Sequence, residues 1–148
     1  MEYKLLVDAD AIPSKIRDVI CRYSQRKEKL TLFVSNHFFK INKNPFVEQY
    51  FVEKKIDQAD NEIISLSLPG CLVITQDLLL AQQSLEKGAK VLNQYGEEIT
   101  PSIVKEKLAF RDFYSQLRDM TTETTSNQKS YSTKDLEKFS NSLNNWKW

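Results

Sequence analysis

The run Cys71-Leu72-Val73-Ile74-Thr75 constrains this chain more than any other segment. It is too short for a helix and shows no polar alternation. The turn signal Pro69-Gly70 precedes it and Asp77 follows it. A run of this kind reads as a buried strand of a sheet. Tyr3-Lys4-Leu5-Leu6-Val7 ends in the same way at Asp8, and Leu30-Thr31-Leu32-Phe33-Val34 gives a second strand. Phe46 to Val52 reads as a third, with Phe46, Tyr50 and Val52 on one face, and Lys90-Val91-Leu92 as a short fifth. Helical spacing fills the gaps. Ile16, Val19, Ile20 and Tyr23 recur after Pro13, and Ala59, Ile63, Ile64 and Leu66 recur within 57–66. Leu78, Leu79, Ala81 and Leu85 lead to a cap at Gly88. Thr100-Pro101 opens a helix with Ile103, Val104, Leu108, Phe113 and Leu117. Alternating strands and helices specify an α/β domain with a central, mostly parallel sheet of about five strands.

A length of 148 residues suits one domain. The expected layout is an α/β domain over 1–119, a polar linker over 120–131 and a C-terminal helix over 132–148 packed on the same domain. Ser132-x-x-Asp135 resembles a capping box, and Leu136, Phe139, Leu143 and Trp146 follow it at helical spacing. Lys plus Arg number 21 and Asp plus Glu 20, so the formal charge of +1 excludes a strongly basic coat. No apolar run reaches about 18 residues, so no membrane span is expected. The start lacks the apolar core of a signal peptide. Cys21 and Cys71 are too few and too far apart for a disulfide framework or a zinc site, which points to the reducing cytoplasm.

Chemistry in such sheets collects at the carboxyl ends of strands. Asp8 and Asp10 leave the first strand, and Asp77 leaves the Cys71–Thr75 strand. Asp57 and Asp60 share one end and one face of a helix. Carboxylates brought together repel and raise each other's pKa unless a cation sits among them. Mg²⁺ or Mn²⁺ suits such oxygen ligands, and an ion held there activates water against a phosphodiester. Each of these acids taken singly is also a natural helix cap. Asp8 with Asp10 exceeds what capping needs.

The residues carrying a family resemblance are Val7-Asp8-Ala9-Asp10-Ala11 before Pro13, Asp57-x-Ala59-Asp60-Asn61-Glu62-Ile63, and Gly70-x-Leu72-Val73-Ile74-Thr75-x-Asp77. Glu86-Lys87-Gly88-Ala89, Asn93 with Gly96-Glu97, and Arg111-Asp112-Phe113 before Leu117-Arg118 extend the pattern. This ordered set resembles the bacterial YaiI/YqxD family, grouped with PIN-like nuclease domains. The resemblance implies a three-layer α/β/α domain whose acids bind divalent metal and cut RNA, or DNA flaps in relatives. By position it makes Asp8 similar to the first metal-binding acid, Asp57 or Asp60 to the helix-borne acid, and Asp77 to the later one. Asp10 belongs to the narrower family's own motif. Ile12 stands where members often have Cys, and Tyr95 stands where a basic residue is expected, which weakens a phosphate grip by that loop.

The leading expectation is a Mg²⁺- or Mn²⁺-dependent nuclease. Asp8, Asp10, Asp60 and Asp77 are catalytic and hold metal, with Asp57 close by. The partner is nucleic acid, RNA ahead of DNA, with no membrane partner. Asn36, Thr75, Lys15 and Lys40 are candidate substrate contacts. Lys15, Arg17, Lys40 and Lys43, with Phe38 and Phe39 among them, define a candidate single-strand groove or a plain solvated face. His37 is either a proton donor or a loop residue. Arg111-Asp112 reads as an ion pair positioning its helix, and Trp146 and Trp148 as docking the last helix or meeting a partner. Two other readings stand beside the nuclease. One is a haloacid-dehalogenase-like phosphatase, with Asp8 as nucleophile, Asp10 as acid/base and Ser35 binding phosphate. The other is a non-enzymatic RNA- or protein-binding domain with an idle acidic site.

Overall fold

The computed structural model describes residues 2–42, 44–53, 58–120 and 130–148. Asp57, Lys43 and the stretch 121–129 of the expected linker lie outside the described residues.

Six strands form one sheet: β1 (Leu5–Asp8), β2 (Thr31–Ser35), β3 (Val47–Phe51), β4 (Leu72–Ile74), β5 (Lys90–Leu92) and β6 (Glu98–Ile99). Their order is β3-β2-β1-β4-β5-β6, parallel from β3 through β5, with β6 antiparallel to β5. The helices are α1 (Ser14–Lys27), α2 (Gln58–Leu66), α3 (Leu78–Glu86), α4 (Pro101–Met120) and α5 (Thr133–Asn144). The α/β class and all five helices match the sequence reading. The sixth strand is new. Glu98–Ile99 is two residues long, too short for any periodicity to register. Its return is built by Asn93, whose side chain accepts hydrogen bonds from the Tyr95 and Glu97 amides, both at 2.9 Å.

Strand alternation sorts the core into two clusters, one on each face. Leu5, Val7, Phe33, Leu72, Ile74 and Leu92 pack with Ile16, Ile20 and Tyr23 of α1 and with Phe139 and Leu143 of α5. Leu6, Leu32, Val34, Val73 and Val91 pack with Ala59 and Ile63 of α2, Leu80 and Ala81 of α3, and Val104 of α4. The result is three layers, α/β/α. The central strands are buried along their whole length, as their unbroken apolar runs require. β3 is different: it is a sheet edge, and Glu48, Gln49, Tyr50 and Phe51 are exposed. Of its expected apolar face, Val52 is buried in the core and Phe46 is half-buried, while Tyr50 stays exposed.

The capping box of α5 is present. Ser132 accepts from the Asp135 amide at 3.1 Å and Asp135 accepts from the Ser132 amide at 2.9 Å. Trp146 packs into the α1 side of the core, and the Trp148 indole donates to the Tyr23 hydroxyl at 2.8 Å. No described helix is long and apolar enough to cross a membrane.

Candidate active site

The chain runs from β1 outward to β2 and β3, then returns to the other side of β1 as β4. That reversal opens a crevice beyond the carboxyl ends of β1 and β4, the usual place for a ligand in an open parallel sheet. β1 ends at Asp8, and β4 leads into Thr75 and Asp77. The two strand ends are joined directly, because the Thr75 hydroxyl donates to Asp8 Oδ2 at 2.9 Å. The same hydroxyl oxygen accepts the Asp77 amide at 3.0 Å. Asp77 in turn caps α3, its Oδ1 accepting the Leu79 amide at 2.9 Å and the Leu80 amide at 3.3 Å. Capping and site membership thus coincide in one residue.

Asp8 is 5% exposed. Burial pushes its carboxyl up to about 7. The Thr75 hydrogen bond pulls the other way, and the charges of Asp60, Asp77 and Asp10 push it up further. Three of the other four expected acids therefore act on Asp8 across this crevice. Asp10 sits in a single 3-10 turn, Ala9–Ala11, and holds the loop after β2. It accepts the Asn36 amide and lies 3.3 Å from His37 Nδ1. Asp60 enters from the first turn of α2. Among the described residues no three His, Cys, Asp or Glu side chains stand together as a ready-made metal cage.

The substrate candidates divide. Thr75 is buried and fixed to Asp8. Asn36 meets Asp10 through its backbone, and its side-chain oxygen is buried without a partner among the described residues. Lys15, in the first turn of α1, and Lys40, in the loop between β2 and β3, are exposed. Phe39 is not free to stack a base: Phe33 meets it edge-on at 5.7 Å and the Arg17 guanidinium covers its ring at 4.0 Å. Phe38 is exposed. Ser35 is buried, and its hydroxyl donates to the His37 carbonyl at 2.7 Å. The Arg111–Asp112 ion pair does not form. Neighbours in sequence on a helix point about 100° apart, and both side chains face water.

Sequence reasoning missed Gln76 and Lys107. A cleft of about 160 Å³ is lined by Thr75, Gln76, Asp77, Leu78, Ala81, Asn93, Ile99 and Lys107. Gln76 Oε1 accepts the Gln94 amide at 3.2 Å, tying the β5–β6 turn to the site. Lys107 arrives from α4 because that helix docks on α3. Its only sequence signal is the i,i+4 pair it makes with Arg111.

The profile described as "Uncharacterized BCR, YaiI/YqxD family" matches residues 6–147. This chain belongs to the YaiI/YqxD family. Among the family's similar members, a UPF0178 protein of Marinobacter nauticus is 36% identical over 140 residues, covering 95% of this chain and 93% of the relative. A UPF0178 protein of Shewanella sp. (strain ANA-3) is 37% identical over 145 residues, covering 98% and 96%. The UPF0178 protein YaiI of Shigella boydii is 36% identical over 140 residues, covering 95% and 91%. No solved structure matches the chain. Of the expected site residues, Asp8, Thr75 and Asp77 are linked at this crevice, and Asp10 and Asp60 bear on Asp8 through their charge.

Proposed function

We propose that this chain is a divalent-metal-dependent nuclease of the PIN-like kind, hydrolysing phosphodiester bonds of RNA or structured nucleic acid. One observation carries the reading. Asp8 is a buried carboxylate at the fold's switch point, with Asp10, Asp60 and Asp77 adding negative charge around it and no cation among the described residues paired with it. A purely structural acid in that position would be a liability.

The donor set fits Mg²⁺ or Mn²⁺. It is made of carboxylate oxygens, and Mg²⁺ takes one or two carboxylates while keeping several waters, so it needs no dedicated cage. Asp8, Asp10, Asp60 and Asp77 would hold the ion, with Asp57 assigned from sequence alone. When bound, the ion would polarise the phosphodiester and activate water. The protein's own contribution is preorganisation. Thr75 fixes Asp8, the first amides of α3 fix Asp77, and the Asn36 amide fixes Asp10. Lys107 at the cleft edge would pair with a substrate phosphate.

No observation favours the phosphatase reading, since the single proton of Ser35 is committed to the His37 carbonyl. The decisive experiment is a Mn²⁺ titration by calorimetry on wild type and Asp8→Asn, followed by cleavage of single-stranded and hairpin RNA. Wild type should bind Mn²⁺ saturably and cleave. Asp8→Asn should lose both while melting no earlier than wild type. Equal Mn²⁺ binding by the two proteins, or cleavage undiminished by the substitution, overturns the assignment. RNA binding indifferent to EDTA, without cleavage, replaces it with the non-enzymatic binding domain.

A further inference from the structure

Beyond the acidic crevice, α4 presents a second feature that the fold does not use. Phe110, Phe113 and Tyr114 are 58%, 58% and 50% exposed on one stripe. Their rings touch one another: Phe110 and Tyr114 centroids lie 5.1 Å apart, and Phe113 meets Tyr114 at 6.1 Å, nearly perpendicular. Contiguous exposed aromatics of this kind mark a surface with a partner. Beside them runs a cleft of about 560 Å³ lined by Glu97, Ile103, Glu106, Lys107, Phe110, Arg111 and Tyr114. Lys107 lines both this cleft and the smaller one at Thr75 and Asp77, so the two lie next to each other with Lys107 between them.

We propose that this face of α4 is a track for single-stranded nucleic acid leading to the Asp8–Asp77 crevice. The proposal rests on the nuclease reading and specifies its substrate. Two i,i+4 pairs lie side by side, the cations Lys107 and Arg111 and the rings Phe110 and Tyr114. Cations along one edge take successive phosphates, and aromatic faces beside them take unpaired bases whatever their identity. A duplex offers no free base faces, so the arrangement selects single strands. Glu97 holds Lys107 only through a half-exposed contact at 3.9 Å, weak enough for a phosphate to displace. A second copy of this chain fits less well. Antiparallel pairing about a two-fold axis passing between Lys107 and Arg111 would set Lys107 of each copy against Arg111 of the other, cation against cation. It would also cover Lys107 at the mouth of the acidic cleft.

The test uses the full chain in EDTA with a labelled oligouridylate of about twelve nucleotides, followed by fluorescence anisotropy. Wild type should bind the single strand saturably and a duplex of equal length more weakly. Tyr114→Ala and Phe110→Ala should each weaken single-strand binding about tenfold, with circular dichroism unchanged. Arg111→Gln should weaken binding and flatten its salt dependence. Unchanged affinity in the folded double aromatic variant overturns the track. A wild-type dimer in sedimentation that the same variant dissociates also overturns it and gives the face to a second copy. Failure of the nuclease reading looks different. The oligonucleotide would then still bind through Phe110 and Tyr114, while no divalent metal would produce cleavage.

Discussion

α4 and α5 are both amphipathic, yet the protein uses them in opposite ways. α5 buries Phe139 and Leu143 completely and sends Trp146 and Trp148 onto the domain behind it. α4 buries Val104 near its start and then holds Phe110, Phe113, Tyr114 and Leu117 at the surface. α5 closes the fold. α4 carries apolar surface that folding alone would select against. An apolar stripe in a sequence therefore says that a helix forms, and leaves open whether the stripe meets the core or something outside it.

Truncation separates the two uses most sharply. Phe139→Ala removes a fully buried ring from the cluster formed with Ile16, Ile20 and Leu72. It should destabilise the protein by about 3–5 kcal/mol in urea unfolding. A loss under about 1 kcal/mol would mean that α5 is an accessory to the domain and not part of its core.

What was legible follows the same division. The strands β1, β2 and β4 could be read because burial on both faces demands unbroken apolar runs. The Ser132–Asp135 box could be read because capping is local chemistry. Asp8, Asp10, Asp60 and Asp77 could be listed because strand ends and helix starts place them on one rim. Their mutual field on Asp8 and the Thr75 bridge needed the β1–β4 pairing, which no local pattern encodes. Lys107 was invisible for the same reason, since only the docking of α4 on α3 brings it to Asp77. Arg111 was assigned to Asp112 by adjacency, and helix geometry turns the two apart.

Asp8 is the acidic counterpart of the α4 stripe, another group that folding alone does not explain. In the unfolded chain its carboxyl ionises near 3.8, while burial and its acidic neighbours hold the folded value near 7. The folded state therefore binds more protons between those two values, and stability falls as pH rises through that window. The full difference is on the order of 4 kcal/mol. Thermal unfolding in EDTA should show this decline, and Asp8→Asn should remove most of it, so that the variant is the more stable protein at pH 8. Parallel pH profiles for the two proteins would mean that Asp8 ionises in the fold as freely as in water. Saturating Mn²⁺ should restore stability to wild type at pH 8 and leave Asp8→Asn unmoved.

The smallest effect is the one that most directly tests the contrast between the helices. Phe113→Ala deletes a ring as large as that of Phe139, but one that is 58% exposed and touches chiefly Tyr114. The ring pair and the residual contact with the helix surface are all that folding loses, so urea unfolding should shift by less than about 1 kcal/mol. A loss comparable to that of Phe139→Ala would mean that the aromatic stripe packs against the chain itself, and the track would lose its surface. A near-zero loss leaves the ring with no role in stability. Three such rings on one face are then accounted for by what they bind.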